Sequence, residues 1–185
     1  TIHKNKNLNT NKMATYKIDA SHSDIIFKVK HLMITTVTGQ FKSFDATLSA
    51  DAEDFSDAVV TFTADINSVD TRSEQRDTHL KSDDFFAAEK YPELTFVSTS
   101  VSKNADGLVV KGDLTIRDVT KPVELKADFN GVVVDPWGQT KVGFEAEGKI
   151  KRKEFGLGWD AVTEAGGVVV SDEVKLQFHV QFVKQ

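Results

Sequence analysis

Apolar and polar residues alternate with a period of two along most of the chain after Thr15. The clearest run lies near the C-terminus, where Val174, Leu176 and Phe178 are separated by Lys175 and Gln177. Such alternation is typical of a β-strand with one buried face. The same pattern recurs over residues 24–30, 41–48, 60–66, 94–96, 108–116, 123–129, 142–150 and 174–182. We therefore predict an all-β fold of about eight antiparallel strands, either a barrel or a sandwich.

One segment, residues 70–92, breaks this alternation. It is mainly polar and carries Phe85 and Phe86, which favours a short helical insertion over about residues 72–90. We expect two short helices, the second capped by Ser82 with acidic residues in its first turn. The insertion either covers an open end of a barrel or packs against the edge of the core.

The N-terminal residues lack any such pattern. Residues 1–12 are rich in Asn and Lys and end at Met13, so we interpret residues 1–14 as a leader outside the fold and residues 15–185 as a single domain. A secretory signal peptide needs an apolar core of about 7–15 residues, and this leader has none. If Met13 is the natural initiator, we expect a cytoplasmic protein, whereas replacement of a signal sequence would make it periplasmic.

Composition narrows the function classes. The 185 residues carry 23 Lys and Arg against 28 Asp and Glu, a formal charge of -5, which argues against a nucleic-acid partner. The absence of cysteine excludes disulfides, thiolate nucleophiles and iron–sulfur clusters. The longest apolar runs are too short to cross a bilayer, so we expect no integral membrane segment.

Motifs for catalysis or metal binding are weak. Gly156-Leu-Gly158 matches a dinucleotide-binding fingerprint in its letters, but a β-branched run follows, so we interpret these glycines as a turn or bulge between strands. Only His22, His31 and His79 could converge on a metal, and none has the short spacing of metal sites. We expect no metal site and no catalytic residue. An enzyme that uses one of these histidines as a general base stays open.

The aromatic composition points to an apolar guest. The chain has 13 Phe but 2 Trp and 2 Tyr, and Phe offers bulk without a hydrogen-bonding group. An eight-stranded barrel is wide enough for packed side chains or for one small ligand. Small residues in the inward phase leave space beside the phenylalanines, namely Ala46, Ala64, Ala127, Ala146 and Gly148. A dry, filled core is the alternative.

A series of motifs runs in one order from Thr15 to the C-terminus: Tyr16–His22, Phe27–His31, Gly39–Phe41, Ser68–Thr71, Arg76–Leu80, Asp84–Phe86, Tyr91–Pro92, Gly112–Val123 and Ile150–Gly156. In this order they resemble the YceI-like family of polyisoprenoid-binding, lipocalin-like proteins. The resemblance implies an extended eight-stranded antiparallel lipocalin-like barrel that holds an isoprenoid or similar amphiphilic chain in its lumen. It also implies a homodimer.

Within such a barrel, strand phase selects the residues that face the lumen. We predict that the ligand contacts Phe27, Val29, Ile66, Phe96, Leu114, Ile116, Leu125, Phe144 and Phe178. Candidates for binding a head group lie where strands meet loops, and they are Arg72, Arg76, His79, Lys121 and Arg152. Arginine can bind a pyrophosphate through two hydrogen bonds. The alternative interpretation is that these charged residues are solvated or paired with a neighbouring carboxylate.

The sequence thus predicts a non-catalytic protein that binds, carries or stores an isoprenoid or similar amphiphilic lipid, such as a polyprenyl chain or an isoprenoid quinone. We expect no cofactor other than such a bound lipid or quinone. Two alternatives stay open. One is an enzyme that uses a histidine in the same lumen, and the other is a dry-cored scaffold that binds another protein through its sheet surface.

Overall fold

All strand pairing is antiparallel in the part of the chain that the structure describes. The computed structural model describes residues 13–161 and 169–185, so most of the predicted leader and the pair Gly166-Gly167 lie outside the described residues. The strands are β1 (Ala14–Ile18), β2 (Asp24–His31), β3 (Thr35–Phe41), β4 (Phe44–Ala50), β5 (Val59–Asp65), β6 (Val69–Asp70), β7 (Glu93–Asn104), β8 (Gly107–Ile116), β9 (Val119–Val134), β10 (Thr140–Lys151) and β11 (Val170–Lys184). Because β1 begins at Ala14, the last residue of the predicted leader belongs to the sheet.

These segments form a closed barrel of eight long strands, three of which are interrupted. β1 and β2 lie end to end along β11, because Ile18 pairs with Phe182 and Asp24 pairs with His179. β3 and β4 make a second interrupted strand, and β5 and β6 make a third. Around the barrel these three are followed by β7, β8, β9, β10 and β11, and β11 pairs back with β1 and β2. The predicted eight-stranded antiparallel barrel is confirmed.

The interruptions keep their backbone groups paired. Between β1 and β2, the amide of Asp19 donates to the carbonyl of Gln181 at 2.7 Å, and the amide of Gln181 donates to the hydroxyl of Ser23 at 3.0 Å. Between β3 and β4, the amide of Lys42 donates to the carbonyl of Ser68 at 3.2 Å, which lies at the third interruption. Three neighbouring strands can therefore bend around the lumen without leaving these groups unpaired.

One α-helix, α1 (Glu74–Lys81), is present among the described residues, and Ser73 caps its N-terminus. The prediction of a second helix capped by Ser82 was wrong. Ser82 caps the C-terminus of α1, its hydroxyl donating to the carbonyl of His79 at 2.6 Å, and residues 83–91 form turns. Serine occurs in helix caps and in turns, so the residue type alone did not show whether Ser82 begins a second helix or ends α1. No helix within the described ranges is both long and apolar enough to span a membrane.

Two clusters of buried apolar side chains organise the interior. One lies near α1 and includes Phe85, Phe86 and Phe155. The other lies toward the opposite end of the barrel and includes Phe55 and Phe144. Side chains of both clusters line the space between them.

Candidate functional site

A cavity of about 380 Å³ occupies the lumen of the barrel. Inward-facing side chains from all eight long strands line it, together with residues of α1 and of the segment after β10. Leu176, Phe178 and Val180 of β11 face this space and are only half-buried, although the barrel encloses them. The side chains therefore leave the lumen unfilled, and its volume falls in the range of small-molecule sites.

Three glycines keep the lumen open by letting large side chains lie flat on the wall. A Cβ atom on Gly39 would overlap the ring of Phe27, and one on Gly112 would overlap the ring of Phe96. Gly148 makes room for the side chain of Leu125 in the same way, because a Cβ atom on Gly148 would lie 2.5 Å from the Cδ2 atom of Leu125. Glycine inside a strand commonly marks such a close approach. These large side chains line the cavity instead of crossing it.

Aromatic rings close one end of the lumen. Phe55 enters from the loop between β4 and β5 with a φ of 61°, and its ring centroid lies 5.0 Å from that of Phe129. The rings of Phe144 and Tyr16 also pack against it, with centroids at 5.2 and 5.4 Å. The carboxylate of Asp57 accepts hydrogen bonds from the first two amides of this loop. The loop thereby holds Phe55 as a plug, 3% exposed.

The other end of the lumen, beside α1, is open and polar. Among the lining residues that the structure describes, only Lys30 and Arg76 are solvent-exposed, and both lie at this end. Every polar or charged lining residue belongs here: Lys30, His31, Thr71, Arg76, His79 and Arg152. No Asp or Glu of the described ranges lines the cavity, although the whole chain carries a net charge of -5. We call this end the mouth, and it presents donors and positive charge.

Arg152 is buried beneath the mouth, with 2% of its surface exposed. Its Nε donates to the carbonyl of Ser171 at 2.9 Å, and its Nη2 donates to the carbonyl of Val170 at 3.0 Å. Its Nη1 donates to the carbonyls of Leu157 and Trp159 at 2.6 and 2.7 Å. One side chain thus joins the segment after β10 to the start of β11.

Burial and two neighbouring carboxylates act on the pKa of Arg152 in opposite directions. Desolvation lowers the pKa of its guanidinium, while the charges of Asp160 and Asp172 act in the opposite direction. A hydrogen bond from Lys153, with Nζ 2.7 Å from Oδ2, is the main cause that lowers the pKa of Asp160. Arginine stays protonated even when buried. Arg152 therefore carries a positive charge just below the mouth.

His79 and Arg76 are both held in place by neighbouring side chains. The Nε2 atom of His79 lies 2.8 Å from Oδ2 of Asp84, and its ring packs edge-on against Phe85 and Trp159, with both centroids at 5.0 Å. The Nε of Arg76 donates to the hydroxyl of Thr71 at 2.7 Å. Within the described ranges, the only side chain that hydrogen-bonds the His79 ring is Asp84, so no hydroxyl nucleophile is paired with this imidazole.

Eight of the nine predicted lumen residues line the cavity, and these are Phe27, Val29, Phe96, Leu114, Ile116, Leu125, Phe144 and Phe178. Contact of these residues with a ligand stays a prediction. Ile66 does not line it, because β5 ends one residue earlier and Ile66 packs, 1% exposed, in the cluster near α1. Among the small residues, Ala46, Ala127 and Ala146 line the cavity, whereas Ala64 is packed in that cluster and Leu125 covers Gly148.

The head-group candidates divide into two sets. Arg76, His79 and Arg152 line the cavity at the mouth, whereas Arg72 and Lys121 are exposed and do not line it. The alternation of β2 places Lys30 on the outer face, yet it lines the mouth. A register shift in β11 between Val170 and Val174 lies opposite this residue, and the sequence pattern carries no signal for it.

The three histidines considered for a metal site do not converge. His22 lies in the turn between β1 and β2, with its Nδ1 atom 2.9 Å from Oδ2 of Asp19. The whole length of β2, roughly 25 Å at the usual rise per residue, separates it from His31. Across residues 13–161 and 169–185, no group of three or more His, Asp or Glu side chains is arranged to hold a metal ion.

Comparison with known proteins gives one consistent family. A family model described as a YceI-like domain matches residues 16–182. The proteins named YceI from Salmonella newport and Escherichia coli are each 44% identical to this chain over 174 residues, which is 93% of this chain and 88% of theirs.

Solved structures agree with this match. BcnA from Burkholderia cenocepacia superposes with a TM-score of 0.76 at 26% identity, covering 89% of this chain and 98% of its own. The YCEI protein of Campylobacter jejuni gives 0.71 at 34% identity, with 84% and 90% covered. A polyisoprenoid binding domain from Saccharophagus degradans shares the fold, with a TM-score of 0.65 at 16% identity over 92% of this chain and 98% of its own.

Proposed function

The chain belongs to the family of YceI-like domains, and we propose that it binds, carries or stores one extended isoprenoid or similar amphiphilic lipid without catalysing a reaction on it. The observation that carries the proposal is the unfilled lumen, which has apolar walls, one end closed by Phe55 and one polar mouth. A dry-cored scaffold would have no use for such a cavity. The neighbour described as a polyisoprenoid binding domain, which has the same fold, supports this ligand class.

The distribution of charge in the lumen gives the ligand a direction. The apolar tail lies toward Phe55, where the described lining residues carry no charge, and the head group lies at the mouth. There it meets the guanidinium of Arg76 and the imidazole of His79, with the charge of Arg152 beneath them. Donors and positive charge favour a head group with acceptor oxygens, such as a quinone carbonyl or a polyprenyl phosphate.

The lack of a nucleophile paired with His79 among the described residues supports binding rather than catalysis. A general base must reach the proton that it removes, and a nucleophile must lie within hydrogen-bonding reach of that base. The ring of His79 pairs with Asp84 and packs between Phe85 and Trp159, and no hydroxyl side chain of the described residues hydrogen-bonds it. Such an arrangement orients an imidazole for contact with a bound head group.

The test of this function is the lipid content of purified protein, compared with that of the Ala146→Phe variant. We expect the wild-type chain, purified from its own host and extracted with organic solvent, to yield an isoprenoid lipid in near-stoichiometric amount. Ala146 faces the lumen between Ala127 and Phe178, so an added ring occupies ligand space. Its affinity for geranylgeraniol, measured by calorimetric titration, should fall at least about tenfold, or about 1.4 kcal/mol.

The matched control is Glu147→Phe, which adds the same ring to an exposed position next to Ala146. Both variants should keep nearly the wild-type melting temperature, because Ala146→Phe fills a space that is unfilled. In a close-packed core the same change would cost about 1 to 3 kcal/mol. Destabilisation of Ala146→Phe with unchanged affinity, or a wild-type chain that neither carries nor takes up lipid, would refute the proposal.

We also propose that two copies of the chain associate through the hairpin of β9 and β10. β9 pairs with β8 only as far as Ala127, so no described strand pairs with that edge over residues 128–134. Val132, Val133 and Val134 are 54%, 64% and 65% exposed there. An unpaired apolar edge is a template for another strand, and antiparallel pairing of two identical edges gives a twofold dimer.

Light scattering after gel filtration tests this dimer. The wild-type chain should elute with twice the chain mass, and the variant Val132→Lys/Val134→Lys should elute with the single mass, because lysine on an edge blocks strand pairing. Val97→Lys, at a 48% exposed position on β7, should remain dimeric. A monomeric wild-type chain, or a double variant that stays dimeric, would contradict this interface.

A further inference from the structure

The hairpin between β2 and β3 ends in three consecutive exposed apolar side chains. Leu32, Met33 and Ile34 are 40%, 66% and 81% exposed, and the pair of His31 with Thr35 closes the hairpin beneath them. We call these three residues the hairpin tip. Turns usually carry Gly, Asn, Asp or Ser, so a tip made only of large apolar residues needs an explanation.

The tip holds these residues in an unfavourable conformation. Leu32 and Met33 have φ values of 52° and 63°, in the left-handed region that costs a non-glycine residue about 1 to 2 kcal/mol. Two of its amides are already paired, since Leu32 donates to the carbonyl of Val169 at 2.7 Å and Ile34 donates to that of His31 at 3.2 Å. Burial of the tip in an apolar medium therefore requires no new partner for these amides.

The tip stands beside the mouth of the lumen. Lys30 and His31, the two residues that precede it, line the cavity, and so does Val169, to which its backbone is bonded. The exposed side chains of Lys30 and Arg76 place positive charge at this same end. Apolar side chains of the tip and basic residues of the mouth therefore lie side by side at the opening through which a lipid would enter.

We propose that the hairpin tip docks the protein on the surface of an anionic lipid bilayer. The side chains of Leu32, Met33 and Ile34 enter the boundary of the acyl region, and the basic residues of the mouth lie among the lipid head groups. A bilayer fits better than a protein partner, because three side chains cannot supply the approximately 800 Å² that each partner buries in a stable protein interface. The inference rests on the proposed lipid-binding function, since docking beside the mouth gives the lipid a short path to the lumen.

Flotation of the full chain with vesicles tests this docking. Wild-type protein should float with vesicles of phosphatidylcholine mixed with phosphatidylglycerol, and less with phosphatidylcholine alone. Met33→Asn/Ile34→Ser should bind the mixed vesicles about tenfold more weakly. Asparagine tolerates the left-handed backbone of position 33, so the melting temperature should not fall. The matched control, Val59→Ser/Val97→Ser, removes two valines that are 49% and 48% exposed away from the tip and should float like the wild type.

Uptake of geranylgeraniol in the absence of vesicles separates this inference from the proposed function. The tip variant should take up the probe as the wild-type chain does, because its lumen is unchanged. A wild-type chain that takes up the probe but does not float, or a tip variant that floats as well as the wild type, overturns the docking proposal. Equal flotation with both vesicle types overturns the role of the basic residues. Failure of the wild-type chain to take up any probe overturns the proposed function instead.

Discussion

Replacement of Arg152 with methionine is expected to lower the free energy of unfolding by about 3 to 5 kcal/mol. The guanidinium donates to four carbonyl oxygens, and the side chain is 2% exposed. Methionine fills much of the volume but donates no hydrogen bond, so these carbonyls lose their partner in a place that water reaches poorly. The loss should be visible as a lower midpoint of urea unfolding with an unchanged slope.

Two further variants define the cause of this effect. Arg152→Lys keeps the charge but not the planar set of donors, so we expect it to recover only part of the lost stability. Arg72→Met removes an exposed arginine near the same end and should change stability by less than about 0.5 kcal/mol. A value for Arg152→Met within about 1 kcal/mol of wild type would show that these hydrogen bonds contribute little.

The double variant Gly39→Ala/Gly112→Ala is expected to weaken lipid binding about a hundredfold and to lower stability only through position 112. Each new methyl group would overlap a ring, that of Phe27 or that of Phe96, and push it from the wall into the lumen. Each displaced ring should weaken binding about tenfold. At position 39, the preference of a strand for alanine over glycine, about 0.5 to 1 kcal/mol, offsets the similar strain of a displaced ring. At position 112 the added Cβ atom would also lie 2.6 Å from the carbonyl oxygen of Val97, a backbone atom that cannot swing aside, so the melting temperature should fall. Titration with geranylgeraniol and thermal unfolding measure the two effects separately.

The chain offers its own control for this experiment. A Cβ atom on Gly143 would meet nothing nearer than 3.7 Å, so Gly143→Ala should leave the affinity unchanged. Removal of the displaced ring, as in Gly39→Ala/Phe27→Ala, should recover binding relative to Gly39→Ala alone. Unchanged affinity in the Gly39→Ala/Gly112→Ala variant would mean that the rings find another place on the wall.

The barrel and most of its lining were predictable because a period of two encodes which face of a strand is buried. Phe27, Val29 and Phe178 follow directly from that phase. The alternation of inward and outward side chains stops where the backbone turns. Ile66, which was predicted to face the lumen, lies at such a turn. The turns are held by individual hydrogen bonds, such as that from the amide of Lys42 to Ser68, which leave no periodic trace in the sequence.

The mouth was harder to predict than the walls. Burial of Arg152 contradicts the usual exposure of arginine, and its partners are backbone carbonyls, whose positions depend on the tertiary fold. Lys30 lines the mouth opposite a register shift in β11, and a single residue of slippage moves a side chain to the other face. A glycine within a strand pattern signals a close approach, but the register decides that Phe27 covers Gly39.

The plug formed by Phe55 makes the lumen a tube with one blind end. In the proposed function, the lipid enters and leaves through the mouth, so its tail goes in first and comes out last. Each added isoprene unit buries more apolar surface until the tail reaches Phe55, and any further unit must protrude from the mouth. The distance from Phe55 to the mouth therefore sets the longest isoprenoid chain that the lumen can enclose.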